Sequence, residues 1–263
     1  FTMHKLLQRC IVAQQRLCWS TNPLAGQLDP DTPPILWFGQ LFPSGASAIS
    51  DFDRENLSSD DTIVTIGSNP SWLEYHINKS SLALLPSNRQ RLKLMSDPIA
   101  DILKGYNEYF NAHPYSRWFG SVEQFLNGMD ASYYGAKSMR AVHIDLFPFA
   151  TRSNYTNIRN LVHTTLMMTG FAPSYLHDLI DAIKPKRMVV FGRSTYDALR
   201  RFYDPTLPDI ASAPHKFTNS KGTRSYKWIN TKLYGRDLVA LTCNLGNPIG
   251  LSYNDLNRWG GIV

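Results

Sequence analysis

Four short runs of β-branched and apolar residues, at 62–66, 141–146, 187–191 and 238–242, are separated by long stretches with helical periodicity. This alternation constrains the chain more than any other feature. Strands that alternate with helices are joined by crossovers, so they pair in parallel and lie between helical layers. The helical stretches are 99–110, 122–126, 158–168, 173–183 and, after Gly192, 194–202. The reading is an α/β fold: a single domain over 62–263 with a four-stranded parallel sheet flanked by helices. Residues 1–61, with Pro30, Pro33 and Pro34, read as a helical, proline-containing extension packed on that core. Phe1 and Thr2 precede a Met3 that reads as the start. Residues 3–28 carry Lys5, Arg9 and Arg16 and no acid, as a transit peptide does. An amphipathic helix with Leu6, Leu7, Cys10, Ile11 and Leu17 inward is the reading preferred for them.

In a parallel α/β sheet, ligands sit beyond the carboxyl ends of the strands. The informative segments are therefore 67–72, 145–151, 192–195 and 244–252. At 263 residues, 43% of them hydrophobic and 12% aromatic, the chain can bury a full core and is not a disordered one. No apolar run approaches ~18 residues, so no membrane partner is expected. Three cysteines, Cys10, Cys18 and Cys243, exclude a disulfide framework and a four-cysteine iron–sulfur site, and fit a cytoplasmic protein. Lys and Arg number 27 against 21 acids, a net +6 that favours a polyanionic partner. The 210–236 stretch concentrates that excess in Lys216, Lys221, Arg224, Lys227, Lys232 and Arg236, with no acid and with Tyr226 and Trp228 interleaved. It reads either as a solvated loop between the last two strands or as a phosphate-contacting flap, with Lys221 and Arg224 as contacts.

Two segments carry chemistry. After the first strand comes Gly67-Ser68-Asn69-Pro70-Ser71-Trp72. Gly67 permits a sharp turn and Pro70 fixes the chain beyond it, presenting Asn69 at the strand end, where its amide can position water. After the last strand comes Asn247-Pro248-Ile249-Gly250-Leu251-Ser252, a small-residue loop from which Leu251 protrudes, suited to insertion into a base stack.

In order, spacing and strand context these two motifs resemble those of the uracil-DNA glycosylase superfamily, nearest its mismatch-specific branch, over roughly residues 62–252. The resemblance implies a four-stranded parallel sheet of the uracil-DNA glycosylase type. It implies an enzyme, a monofunctional glycosylase that flips a nucleotide out of duplex DNA and hydrolyses the bond between base and deoxyribose. Asn69 would hold the attacking water and Asn247 would bond the departing base at O2, where negative charge collects. Leu251, on the turn made by Gly250, would fill the gap in the stack, and Ser252 and Ser71 would contact phosphates. No cofactor and no metal are implied, and the protein would act on double-stranded DNA as a monomer.

Two departures from the family pattern sharpen the base. The family usually reads uracil with an Asn on its second sheet strand; here Asp145 stands there. A carboxylate donates nothing to uracil O4 but accepts from the N4 amino group of cytosine, and from N3 when that nitrogen is protonated. Where uracil-specific members often carry a bulky tyrosine against C5, Ser71 leaves room. Together these point to a C5-substituted cytosine, such as the glucosylated hydroxymethylcytosine of phage DNA, and to an antiviral role. Trp72, Phe147 and Phe149 are candidates to stack on the flipped base. His143 reads as a core residue, Tyr75 and His76 as pocket lining or helix packing, and the run from Tyr115 to Phe119 as a binding loop or a helix start. The rival readings are an orthodox uracil or mismatch glycosylase with a structural Asp145, and a non-catalytic nucleic-acid-binding module. A generic nucleotide-binding domain lacks its Gly-rich fingerprint.

Overall fold

The structure, a computed structural model, describes residues 2–19, 21–46, 49–52, 61–72, 75, 98–111, 114–135, 137–153, 155–169 and 171–263. His76 lies outside the described residues. The helices in chain order are α1 (Met3–Leu17), α2 (Pro98–Asn107), α3 (Ser116–Gly128), α4 (Tyr155–Thr169), α5 (Phe171–Ile183), α6 (Arg193–Phe202) and α7 (Tyr253–Gly260). The strands are β1 (Thr62–Gly67), β2 (Ala131–Ser132), β3 (Met139–Asp145), β4 (Arg187–Phe191), β5 (His215–Thr218), β6 (Ser225–Leu233) and β7 (Arg236–Leu241). The chain gathers into two compact units: Phe1–Leu57 with Ser68–His113 and Ile144–Lys184, and Ser58–Gly67 with Pro114–His143 and Pro185–Val263.

The first unit is helical. Thr2 caps α1 by accepting from the Lys5 N–H, and Met3, Leu6, Leu7, Cys10 and Leu17 are buried along one face. Ile11, expected inward, is half-buried. Gln14 takes a buried place instead, because its amide donates to the Asp29 and Thr32 carbonyls at 2.9 and 2.6 Å. The proline-punctuated segment after it is part of the core: Ile35, Leu36, Trp37, Phe38, Leu41 and Phe42 are all buried. Trp37 packs edge-on against Tyr106 of α2, 5.3 Å between centroids. Asn107 Oδ1 accepts from the N–H groups of both Leu41 and Phe42 at 2.8 Å, satisfying backbone that no ladder covers.

Among the described residues the second unit holds one mixed sheet of seven strands, ordered β2-β3-β1-β4-β7-β6-β5. β1 pairs with β4, β4 with β7, and β2 with β3, all in parallel. β5 pairs with β6 and β6 with β7 in antiparallel fashion. The α/β class stands, but the sheet is neither four-stranded nor all-parallel. β2 is two residues long, too short to leave a period. The other additions come from the basic 210–236 stretch, which is a hairpin rather than a loop. Its charges disguise a period of two: Phe217, Tyr226 and Trp228 share one face, while Lys216 stands opposite Lys227 on the other. Tyr234 and Gly235, with φ of 51° and 80°, make the two-residue turn into β7.

Helix α6 packs on β4 and β7, and α3 lies against α7. That last contact is backbone to backbone, since a Cβ on Gly128 would sit 1.9 Å from the Asn257 carbonyl oxygen. A buried polar network joins β1, β3 and the turn after β2: Thr65 Oγ1 lies 2.8 Å from His143 Nδ1 and 2.5 Å from the Tyr133 hydroxyl. His143, 2% exposed, is thus a satisfied core residue. Tyr115 and the residues after it open α3, and Trp118 stacks edge-on against His143. No helix among the described residues is long and apolar enough to cross a membrane.

Candidate functional site

In the first unit, the segments that follow β1 and β3 are tied together. Ser68 carbonyl accepts from the Phe147 N–H at 3.0 Å. Ser71 and Thr151 form an isolated parallel bridge. Asn69 sits between these ties, half-buried, and donates from Nδ2 to Thr151 Oγ1 at 3.0 Å and to the Pro70 carbonyl at 3.1 Å. Thr151, 4% exposed, spends its one hydroxyl proton on the Ser153 carbonyl at 2.8 Å. Toward Asn69 the hydroxyl can therefore only accept. This fixes which end of the amide faces it. Both Nδ2 protons are used, and Oδ1 makes no hydrogen bond among the described residues. The arrangement is an oriented carbonyl acceptor at a strand end, able to hold a water by one of its protons.

The N-terminal segment supports this loop, which sequence reasoning missed. The Gln27 carbonyl accepts from the Arg152 N–H at 3.0 Å, and Gln27 Oε1 accepts from the Ser153 N–H at 3.2 Å. Ile35 N–H donates to the Pro148 carbonyl at 2.8 Å. Tyr75, expected as pocket lining or packing, donates its hydroxyl to the Pro33 carbonyl. The only sequence signal for Thr151 was its place at the end of a strand-end segment.

Asp145 closes β3 and is 4% exposed. Phe147 and Phe149 are fully buried and pack edge to face, 5.0 Å apart, so neither ring offers an open face here. Of the three expected stacking residues, Trp72 is the half-exposed one, with the Arg152 guanidinium 5.2 Å from its ring centroid. Ser71 is half-buried, its backbone engaged by the bridge.

In the second unit, the 247–252 loop follows β7. Asn244 Oδ1 accepts from the Gly246 N–H at 3.1 Å, and its carbonyl accepts from the Asn247 N–H at 3.1 Å, which turns the chain. The Asn247 side chain is exposed and makes no hydrogen bond among the described residues. Leu251 is half-buried; Ile249, 58% exposed, is the outermost apolar side chain of the loop. Ser252 caps α7 in a capping box: its hydroxyl accepts from the Asp255 N–H, and its own N–H and hydroxyl donate to Asp255 Oδ2 at 3.1 and 2.8 Å. Its donors therefore serve Asp255 rather than standing open to a phosphate. Burial alone would raise the Asp255 carboxyl, but the Ser252 and Ser220 donors outweigh it and hold it below its ordinary value.

Lys221 and Arg224 are exposed at the tip of the β5–β6 hairpin, and neither makes an ion pair among the described residues. Gly250, at φ 75°, lies against the Arg224 side chain. Burial pushes the Cys243 thiol up to about 12 and that of Cys18 to about 11, so neither is a thiolate nucleophile near neutral pH. Among the described residues no group of three or more His, Cys, Asp or Glu could hold a metal ion. No protein-family model matches the chain, and no curated protein matches it.

Proposed function

We propose that this chain is a monofunctional DNA glycosylase that hydrolyses the N-glycosidic bond of a flipped, C5-substituted cytosine in double-stranded DNA. The observation that carries the reading is the amide of Asn69, oriented by a buried hydroxyl that can only accept from it. A water held at Oδ1 is presented with a lone pair free to attack. An amide does not take the water's proton; it fixes the oxygen in place, which is the entropic part of the barrier. In the reaction the C1′–N1 bond breaks with its electron pair going to the base. Water oxygen bonds C1′, the water proton passes to solvent, and the product is an abasic site.

Base choice rests on Asp145. A buried carboxylate is an acceptor, suited to cytosine N4–H and to a protonated N3, and it repels O4 of uracil. A cytosine protonated at N3 is also the better leaving group, since the departing electron pair ends on a neutral ring. Asn247 is the group assigned to O2 of the base, and Lys221 and Arg224 are assigned to phosphates. Excision of unmodified cytosine would be self-destructive, so the C5 substituent is a requirement of the reaction. A glucosylated hydroxymethyl group is one such substituent, and an enzyme that attacks it would act in defence against phage.

The test is incubation with duplexes that carry uracil, cytosine, hydroxymethylcytosine or its glucosylated form, followed by alkali cleavage at abasic sites. The expected result is cleavage of a C5-substituted cytosine strand alone. Cleavage at uracil only would make this an orthodox uracil or mismatch glycosylase. Binding to all duplexes with cleavage of none would make it a non-catalytic module.

A further inference from the structure

We infer that the β5–β6 hairpin and the 247–252 loop form one preassembled duplex-reading element, in which Ile249 enters the base stack and Asn219 positions it. This rests on the reading of duplex DNA as the ligand. A single exposed isoleucine means little by itself. Here the backbone on both sides of its peptide is held from the hairpin. The Tyr226 hydroxyl donates to the Ile249 carbonyl, and Asn219 Nδ2 donates to the Gly250 carbonyl at 2.8 Å. Burial raises the Tyr226 phenol further above its ordinary value, so it remains a donor through neutral pH.

Asn219 is 5% exposed and uses all four of its hydrogen-bonding positions. Oδ1 accepts from the N–H groups of Thr223 and Arg224 at 2.9 and 3.1 Å, which shapes the hairpin turn. Nδ2 donates to Thr223 Oγ1 at 3.1 Å, and its second proton reaches the Gly250 carbonyl. The two bonds to Oδ1 shape the turn; the bond to Gly250 fixes the loop. The hairpin is anchored in turn to α7, where the Ser220 N–H donates to Asp255 at 2.7 Å and Phe217 stacks on Trp259 at 4.8 Å. A side chain that unstacks bases must not be pushed back, so a rigid mount is what the task requires. Lys221 and Arg224 on the same tip supply cations beside the wedge, which suits phosphates flanking the opened step. Leu251, half-buried, is the less available of the two apolar side chains.

The probe is a duplex with one tetrahydrofuran abasic analogue and 2-aminopurine in the opposite strand, which needs no excision. The wild type should raise the fluorescence on binding. Ile249→Ser, at an exposed position, should remove most of that rise and weaken binding by roughly threefold or more. Leu251→Ser should keep more than half of the rise. Asn219→Asp retains the acceptor that shapes the turn and loses both donors, to Thr223 Oγ1 and to the Gly250 carbonyl. It should lose much of the fluorescence rise while the protein still binds the duplex. The inference is overturned if Ile249→Ser keeps the full rise, if Leu251→Ser alone abolishes it, or if the wild type does not bind the duplex. Ile249-dependent unstacking without excision of any base would keep this inference and remove the glycosylase; excision with no Ile249 dependence would do the reverse.

Discussion

The loops after β1 and β3 in the first unit and the loop after β7 in the second are built in opposite ways. In the first pair a buried apolar run leads to a few polar groups at the loop ends, and their bonds converge on one amide: Thr151, Ser153 and Pro70 together leave Asn69 with a single oriented acceptor. The second is exposed and largely apolar, and it is held by its carbonyls, which leaves the Ile249 side chain outward. The difference separates two physical tasks. Holding a water requires an atom placed to within tenths of an ångström, which buried, saturated hydrogen bonding provides. Opening a duplex requires contact area on a stiff support, and the side chain itself can be simple.

The largest expected break in this comparison is Asn69→Ala. It should slow single-turnover excision by ~10²-fold or more while duplex binding is retained. A near wild-type rate would remove Asn69 from the mechanism. Next is the phosphate contact on the opposite side of the comparison. Replacing Lys221 and Arg224 together by Ala should lower the slope of log K against log salt by up to about 2, at roughly 0.9 per contact. An unchanged slope would show that the hairpin cations only face solvent.

Thr151→Val sharpens the first half of the comparison, because it removes the hydroxyl and keeps the shape. One net hydrogen bond is worth about 0.5–1.5 kcal/mol, so the excision rate should fall by roughly three- to tenfold, with Thr151→Ser restoring it. Equal rates for Val and Ser would mean that Thr151 serves packing only. The smallest effect concerns Asp255. Its carboxyl is held below 3.8 in the folded protein, so its stabilising contribution is complete above that value and is lost as pH falls through the folded pKa. Asp255→Asn should therefore melt at a lower temperature than the wild type at neutral pH, and the gap should close as the solution is acidified below about 3.8. A gap that persists in acid would show that the bonds to Ser252 and Ser220 do not depend on the charge.

Much of this was legible in the sequence where a period ran long enough. β4 has the expected bounds, and β1, β3 and β7 lie within two residues of theirs. The hairpin was not legible, because lysines on one face made a strand look like a basic loop, and the Tyr234–Gly235 turn is an unusual pair for its type. Residues 33–42, expected within a proline-containing extension packed on the core, themselves fill a core around Trp37, because prolines interrupt helical periodicity without reducing apolar content. Asn69 was visible from its place after a strand. Thr151, Gln27 and Asn219 were not, since their roles depend on partners 82, 126 and 31 residues away. Leu251 was expected to protrude, whereas Ile249 does, because the turn at Gly250 reverses which side chain faces out.

The central claim is that a carboxylate at the end of β3 sets the base. The direct measurement is the ratio of single-turnover rates on glucosylated hydroxymethylcytosine and on uracil, in matched duplexes, for the wild type and for Asp145→Asn. The substitution exchanges an anionic acceptor for a neutral donor–acceptor pair of almost the same shape, so the volume is kept while charge and hydrogen bonding change. The account predicts a ratio well above one for the wild type. In the variant it falls sharply, with uracil excision appearing as the amide faces O4 and N3–H. A wild type that prefers uracil, or a variant that keeps full activity on the modified cytosine, would contradict it.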